Sequence, residues 1–494
     1  MIGLSESLST YVRRELKIND NRTAFTEQEL ASVSYISMSR EDMNVIKYFK
    51  NLSVLSLEKY PSLTSDDIKY IGEIIPSIIS LTVKEQNAIF NLDLSSYKNL
   101  IELAVIHNDN LIDIKGLSKV KRLTFYDNKE FKNIKHIVDY IIENPDCKVS
   151  LDFLYYISIK RENIKEEIFK NIVWVESLGL RSFVVHEYTD MEINYVMDCI
   201  SRIACKYTYV TDDLLDKFSI LYYWMIENID FINEDDEKNY NMIDYNNTYK
   251  VFNSRRAGRL SYAKTFQMLL SYLNIDSYLV YSYGTLDSIG FYEGKKVYSL
   301  LGSSDYALLR VNIDGKFYYC DIAWDSSINN YKYADALRSF LLSKEELSLK
   351  HKFVGEGNVR KSYSFHGDDA SDLVSYAKDR IQDVDEFFNQ IDRLDRLILS
   401  LDVETSIVDN ILASKDLNNT FKFDGEKKGL QLTIKSSQDT KKQCINQKEI
   451  LIKKYEKELI KNYVGPNEDL KAYIQMLKDS YRISDSLYNV LAVL

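Results

Sequence analysis

The sequence predicts a multidomain chain of mixed α/β and α+β class. A solenoid of short parallel strands comes first, an α+β domain next, and a mainly helical region last. Three observations predict this: a recurring apolar triplet in the first third, a helix–helix–strand–hairpin order in the middle, and long runs with apolar residues three and four apart at the end. The expected boundaries are 1–29 for an N-terminal helical cap, 30–185 for the solenoid, 205–351 for the α+β domain and 371–494 for the helical region, which includes a possible small hairpin.

The triplet has the spacing L-x-x-L-x-L. It occurs at Val33/Ile36/Met38, Leu52/Leu55/Leu57, Ile78/Leu81/Val83, Leu100/Leu103/Val105 and Val120/Leu123/Phe125. A further copy is expected at Val175/Leu178/Leu180, after a less regular stretch around Leu151 and Phe153. Alternate apolar residues of a short strand point into one core, and stacked strands form a parallel sheet. Asn108 and Asn128 follow two of the triplets, where an amide side chain satisfies backbone groups as the chain leaves the strand. The pattern resembles a leucine-rich repeat solenoid, whose units run to about 20–29 residues. That resemblance implies a protein or peptide partner held on the solenoid.

The middle region opens with the capped helix "TDDLLDKFSILYYWMIENIDF". A polar loop and then the stretch "RRAGRLSYAKTFQMLL" follow, the latter reading as a loop entering an amphipathic helix. "DSYLVYSYG" reads as a strand, and "YALLRVNIDGKFYYCDIAWD" as a hairpin turning on Asp314-Gly315. With that turn Ile313 faces Lys316, Asp321 faces Leu308, and Tyr306 is a diagonal neighbour of Asp321. Cys320 points to the opposite face.

In the last region, "SDLVSYAKDRIQDVDEFFNQIDRLDRLILSL", "KKQCINQKEILIKKYEKELIKNYV" and the C-terminal "NEDLKAYIQMLKDSYRISDSLYNVLAVL" read as helices with solvated faces. "NTFKFDGEKKGLQLTIKSS" between the first two reads as the small hairpin.

Composition bounds the function. The 494 residues are 45% hydrophobic and 28% charged, with 16 Gly and 4 Pro, as expected of packed helices and sheets. A net charge of -11 argues against nonspecific nucleic-acid binding. No run approaches the ~18–20 apolar residues of a membrane span, and no signal peptide is visible, so a cytoplasmic protein is expected. The abundance of Ile, Asn, Lys and Tyr points to an AT-rich bacterial genome. The five cysteines form no CxxC, and the five histidines no HxxxH or HxH; neither a metal site nor a cofactor is expected.

From about Asp212 to His351, the ordered segments resemble a transglutaminase-like domain of the papain-like cysteine class. The resemblance implies a Cys-His-Asp triad, with the thiolate at the N-terminus of "RLSYAKTFQMLL", where the helix dipole and an imidazolium would lower its pKa. The cysteine position, three before Tyr262-Ala263, is Arg259. The histidine position is Tyr306, and the aspartate position is Asp321, which is kept; Trp324 also fits the pattern. A guanidinium cannot attack a carbonyl, and a phenol titrating near 10 is no base at neutral pH. The expectation is therefore a non-catalytic interaction or scaffold protein with a degenerate triad. The rivals are an acyl-transfer enzyme with a displaced nucleophile, such as Ser261, and an anion- or peptide-sensing module using Arg255, Arg256, Arg259, Tyr262 and Trp324. For Asp321 the alternatives are a binding role and a carboxylate that steadies the hairpin. For Arg259 they are an ion pair with Asp321 and a bound anion.

Overall fold

The computed structural model describes residues 1–58, 62–131, 133–162, 164–179, 184–208, 212–232, 247–284, 291–292, 295–296, 306–329, 339–348, 351–353, 362–365, 368–413 and 424–462. The chain forms two compact units. One joins Met1–Met197 to Met225–His366, and the other joins Asp198–Trp224 to Gly367–Leu494. The repeat strands and the central α+β region therefore share one compact unit.

Helix α1 (Glu6–Glu15) starts at Ser5, whose hydroxyl accepts from Leu8 N–H. Strands β1 (Tyr35–Met38), β2 (Val54–Leu57), β3 (Ser80–Lys84), β4 (Glu102–Ile106), β5 (Arg122–Tyr126), β6 (Lys148–Asp152), β7 (Ile172–Ser177) and β8 (Val185–Glu187) follow. They pair in chain order into one eight-stranded sheet. Every pairing is parallel except β7 with β8. Ile36, Leu55, Leu81, Leu103 and Leu123 lie side by side, as do Met38, Leu57, Val83, Val105 and Phe125. Every residue of the five triplets is buried.

The expected copy at Val175/Leu178/Leu180 is out of register. Ile172 and Trp174 align with Val149 and Leu151 and continue the core rows. A slip of one residue reverses a strand's faces, so Val175 packs on the opposite face with Ile106 and Tyr126. Leu180 lies outside the described residues.

Strands β3, β4 and β5 each end in the same way. Glu85, His107 and Asp127 adopt left-handed backbone, with φ 56°, 56° and 55°, a conformation uncommon for non-glycine residues. An amide side chain follows each of them. Asn108 Nδ2 donates to the Val83 and Ile106 carbonyls, and its Oδ1 accepts from Gln86 N–H. Asn128 donates to Val105 and Tyr126 and accepts from Asn108 N–H. Gln86 serves the preceding turn, donating to Lys84 O and accepting from Leu63 N–H.

Helices α2 (Asp190–Tyr207), α3 (Leu214–Asn228), α4 (Thr248–Ser254) and α5 (Arg259–Tyr272) lead into the second sheet. It contains β9 (Asp276–Gly284), β10 (Tyr306–Ile313), β11 (Lys316–Cys320) and β12 (His351–Phe353), in the antiparallel order β11-β10-β9-β12. The β10–β11 hairpin has the expected register, Ile313 opposite Lys316 through Leu309 opposite Cys320. Asp314 and Gly315 both have positive φ, 51° and 80°, as a two-residue turn matched to the strand twist demands. Helix α5 packs on β9 and β10, and α6 (Ile322–Asn329) follows β11 and packs on α5.

In the second unit, α7 (Asp368–Ala413) and α8 (Asp424–Asn462) pack against each other. The ion pairs Lys448–Asp395 and Lys441–Asp402 fix them as antiparallel. Within the same unit, buried Asp212 accepts from Tyr376 and Arg380, and Asp385 from Lys206 and Tyr207. The expected hairpin within 419–437 is corrected: from Asp424 onward this stretch is the first turns of α8. Its alternation "LQLTI" imitates a strand, but pairing along α7 favours the helix. The C-terminal run from 463 and the start of the expected hairpin lie outside the described residues. Among the described residues no helix is long and apolar enough to cross a membrane.

Candidate functional site

Helix α5 begins at Gly258, which offers no side-chain cap, and Arg259 is its first residue. Three arginines enter this helix at increasing depth: Arg255 is exposed, Arg256 half-buried and Arg259 buried. Arg255 closes α4 in left-handed backbone, φ 58°, and its carbonyl accepts from Asp230 N–H. Arg256 pairs with Asp230 in a short parallel bridge. Tyr262 does not face solvent. Its hydroxyl reaches the Met225 and Ile229 carbonyls at 2.7 and 3.0 Å, fastening α5 to the end of α3, and burial drives its phenol far above the ordinary range. Ser261 is buried and donates to Gly258 O.

Asp321 follows the last paired residue of β11 and is 0% exposed. Its Oδ1 accepts from Trp324 N–H at 3.0 Å, the bond by which an aspartate caps a helix N-terminus. Its own N–H donates to Ser339 O. One turn on, both oxygens of buried Asp325 accept from Ser339 N–H at 3.0 and 3.2 Å. These two carboxylates hold the start of α6 and the returning 339–342 segment against the outer edge of β11. Trp324 is partly exposed. Tyr306 opens β10 opposite Ser282. Its side chain lies outside the described residues, as do the side chain of His351 and all of His366.

The positions expected from the sequence thus fall on neighbouring elements. Arg259 and Tyr262 open α5, Asp321 and Trp324 open α6, and these two helices pack together. Ser326 of α6 lies against the Tyr262 phenol. Cys320 is 0% exposed, and its thiol is pushed well up by burial and by the Asp321 and Asp325 charges. A thiol in that state is a poor nucleophile.

A second polar cluster lies where the C-terminal ends of β4 to β7 meet α5. His107 Nδ1 and Asp127 Oδ2 are 2.5 Å apart, and both residues are buried. Asp127 N–H donates to Asp152 Oδ2, and Lys264 of α5 donates to Ser177 O at 2.7 Å. Glu176 accepts from Tyr188 hydroxyl and from Thr248 N–H. Burial pushes the Asp152 carboxyl up to about 6 despite Lys264. Burial also works against the Asp127 carboxylate, but the His107 hydrogen bond and the nearby cations outweigh it and hold Asp127 at about 2. Beside this cluster is a cavity of about 20 Å³, room for about one water, so these carboxylates join elements rather than face a substrate.

Sequence reasoning missed this cluster. Its signal was the ionisable residue that recurs just before each turn amide, Glu85, His107 and Asp127. Among the described residues no cluster of three metal-ligating side chains occurs. In comparisons with known proteins, no family model matches the chain and no curated protein matches it significantly.

Proposed function

We propose that this protein is a non-catalytic interaction or scaffold protein, built on a leucine-rich repeat solenoid and a transglutaminase-like domain with a degenerate triad. One observation carries the reading: the first position of α5 holds a buried, permanently charged Arg259. The Cys320 thiol and the Ser261 hydroxyl are buried as well. Asp321 caps α6.

The partner is a protein or peptide, held on the face of the first sheet opposite the triplets. There Ser37, Ser56, Thr82, Ala104, Thr124 and Ser150 align in one row. Small side chains let another backbone approach, and the flanking Tyr35, Val54, Glu102 and Arg122 offer ring, apolar and charged contacts. The test is labelling with a thiol-reactive acyl-donor probe. No cysteine is expected to react stoichiometrically in the native protein. Complete modification of a single cysteine, with turnover of an acyl donor, overturns the proposal.

A further inference from the structure

The C-terminal end of α5 borders a cavity of about 240 Å³ between that helix, β9 and the loops after β5 and β6. At about 30 Å³ per water this holds some eight waters, or a molecule of amino-acid size. Its wall is divided. Phe131 and Leu154 supply an apolar side, while Lys129, Arg161, Gln267 and Asp276 supply a polar one.

Gln267 lines this cavity and also the 20 Å³ one beside the His107–Asp152 cluster. It is 4% exposed, and its Nε2 donates to Ser277 O at 2.8 Å. That bond fixes the amide, because the flipped form would set two oxygens against each other. Its Oε1 then accepts no hydrogen bond among the described residues. A buried acceptor left unpaired is destabilising, and a ligand N–H in the cavity would satisfy it.

The charges on the wall have both signs. The Arg161 guanidinium donates to the Tyr272 and Ser271 carbonyls and to Asn274 at the end of α5. Lys129 stands 2.8 Å from Asp109. Asp276 supplies a carboxylate at the start of β9. Cations and a carboxylate around one small space, with an apolar wall beside them, match a zwitterion rather than a simple anion.

We infer that this cavity binds a free amino acid with an apolar side chain. Its ammonium is held by Gln267 Oε1 and Asp276, its carboxylate lies toward Arg161 and Lys129, and its side chain lies on Phe131 and Leu154. The site is separate from Arg259, which lies at the other end of the same helix.

Saturation-transfer NMR on the full chain, with L-phenylalanine and L-leucine as probes, tests this. Both are expected to bind, and phenylalaninamide and N-acetylphenylalanine to bind about tenfold more weakly. Gln267→Met is expected to weaken L-phenylalanine binding about tenfold, read on protein whose unfolding transition shows that it folds, since the substitution also removes the Nε2 donor to Ser277 O. If Gln267→Met does not fold, Asp276→Asn serves in its place, with the same loss expected. Absence of binding by both amino acids, or binding unchanged in the folded variant, overturns the proposal.

Discussion

Arg259 occupies a position where a cation is disfavoured by a few tenths to about 1 kcal/mol, because the helix N-terminus is itself positive. It is buried there all the same. The proposed alignment makes a direct claim about this residue. Arg259→Cys alone leaves a thiol without a base, because position 306 carries Tyr. Arg259→Cys with Tyr306→His supplies both, and the double variant is expected to gain labelling by an acyl-donor probe that neither single variant shows. Equal labelling of the single and double variants would remove the basis for the alignment.

Asp152 gives a second residue-scale prediction. Its folded carboxyl titrates near 6, above the ordinary value of about 3.9 for an unfolded chain. The folded state therefore binds more protons between these values, and Asp152 makes stability fall as pH rises from about 4 to 6. Asp127, held at about 2, acts in the opposite sense: its stabilisation is present above about pH 4 and is lost as pH falls toward 2. Asp152→Asn is expected to remove the decline between about pH 4 and 6, although its amide oxygen can accept only one of the two N–H bonds, from Asp127 and Leu154, that the carboxylate accepts. Urea unfolding at a series of pH values checks both signs.

Among the elements, those with a strong local rule were legible in the sequence. Asp314-Gly315 has the composition of a primed hairpin turn and fixed the pairing of β10 with β11. The triplets placed β1 to β5 because each carries two buried rows at period 2. Where the rule weakened, so did the reading. β6 lacks the complete triplet, because Asp146 stands at its first position, and β7 carries it as Phe169/Ile172/Trp174. Val175 is buried on the other face although Val173 is exposed, so the apolar run from Ile172 to Val175 did not show which face was which. Gln86 escaped notice because it does an asparagine's work with a longer side chain. Asp321 follows the last paired residue of the hairpin, and its helix-capping bond depends on α6, which the sequence reading did not foresee.

Helix α8 makes the remaining element testable. Gly425 and Gly429 both fall within the helix. Glycine in a helix interior costs about 0.8–1.0 kcal/mol relative to alanine. Gly429→Ala is therefore expected to stabilise the second unit by about 1 kcal/mol, measured by thermal or urea unfolding. A hairpin turn using glycine's left-handed backbone would give the opposite sign.

At the scale of the whole molecule, the repeat sheet and the α+β region are fastened by polar bonds at several places in one unit. Lys264 of α5 holds Ser177 at the end of β7, and Glu176 beside it holds the start of α4. Arg161 holds the last carbonyls of α5. Arg310 of β10 reaches Glu130 after β5 at 2.6 Å, with its guanidinium over Tyr278. Buried contacts of this kind join the two parts into one cooperative block, whereas domains linked only by an exposed segment unfold separately. Lys264→Met deletes the cation that faces Asp127 and Asp152 and leaves Ser177 O without its donor, at a cost of about 1–3 kcal/mol. Hydrogen exchange should record that loss equally at Leu81 in β3 and at Tyr262 in α5, although Leu81 lies far along the sheet from the substitution. Loss of protection confined to α4 to α6, with β1 to β5 unchanged, would show that the first sheet and the α+β region are independent folding units.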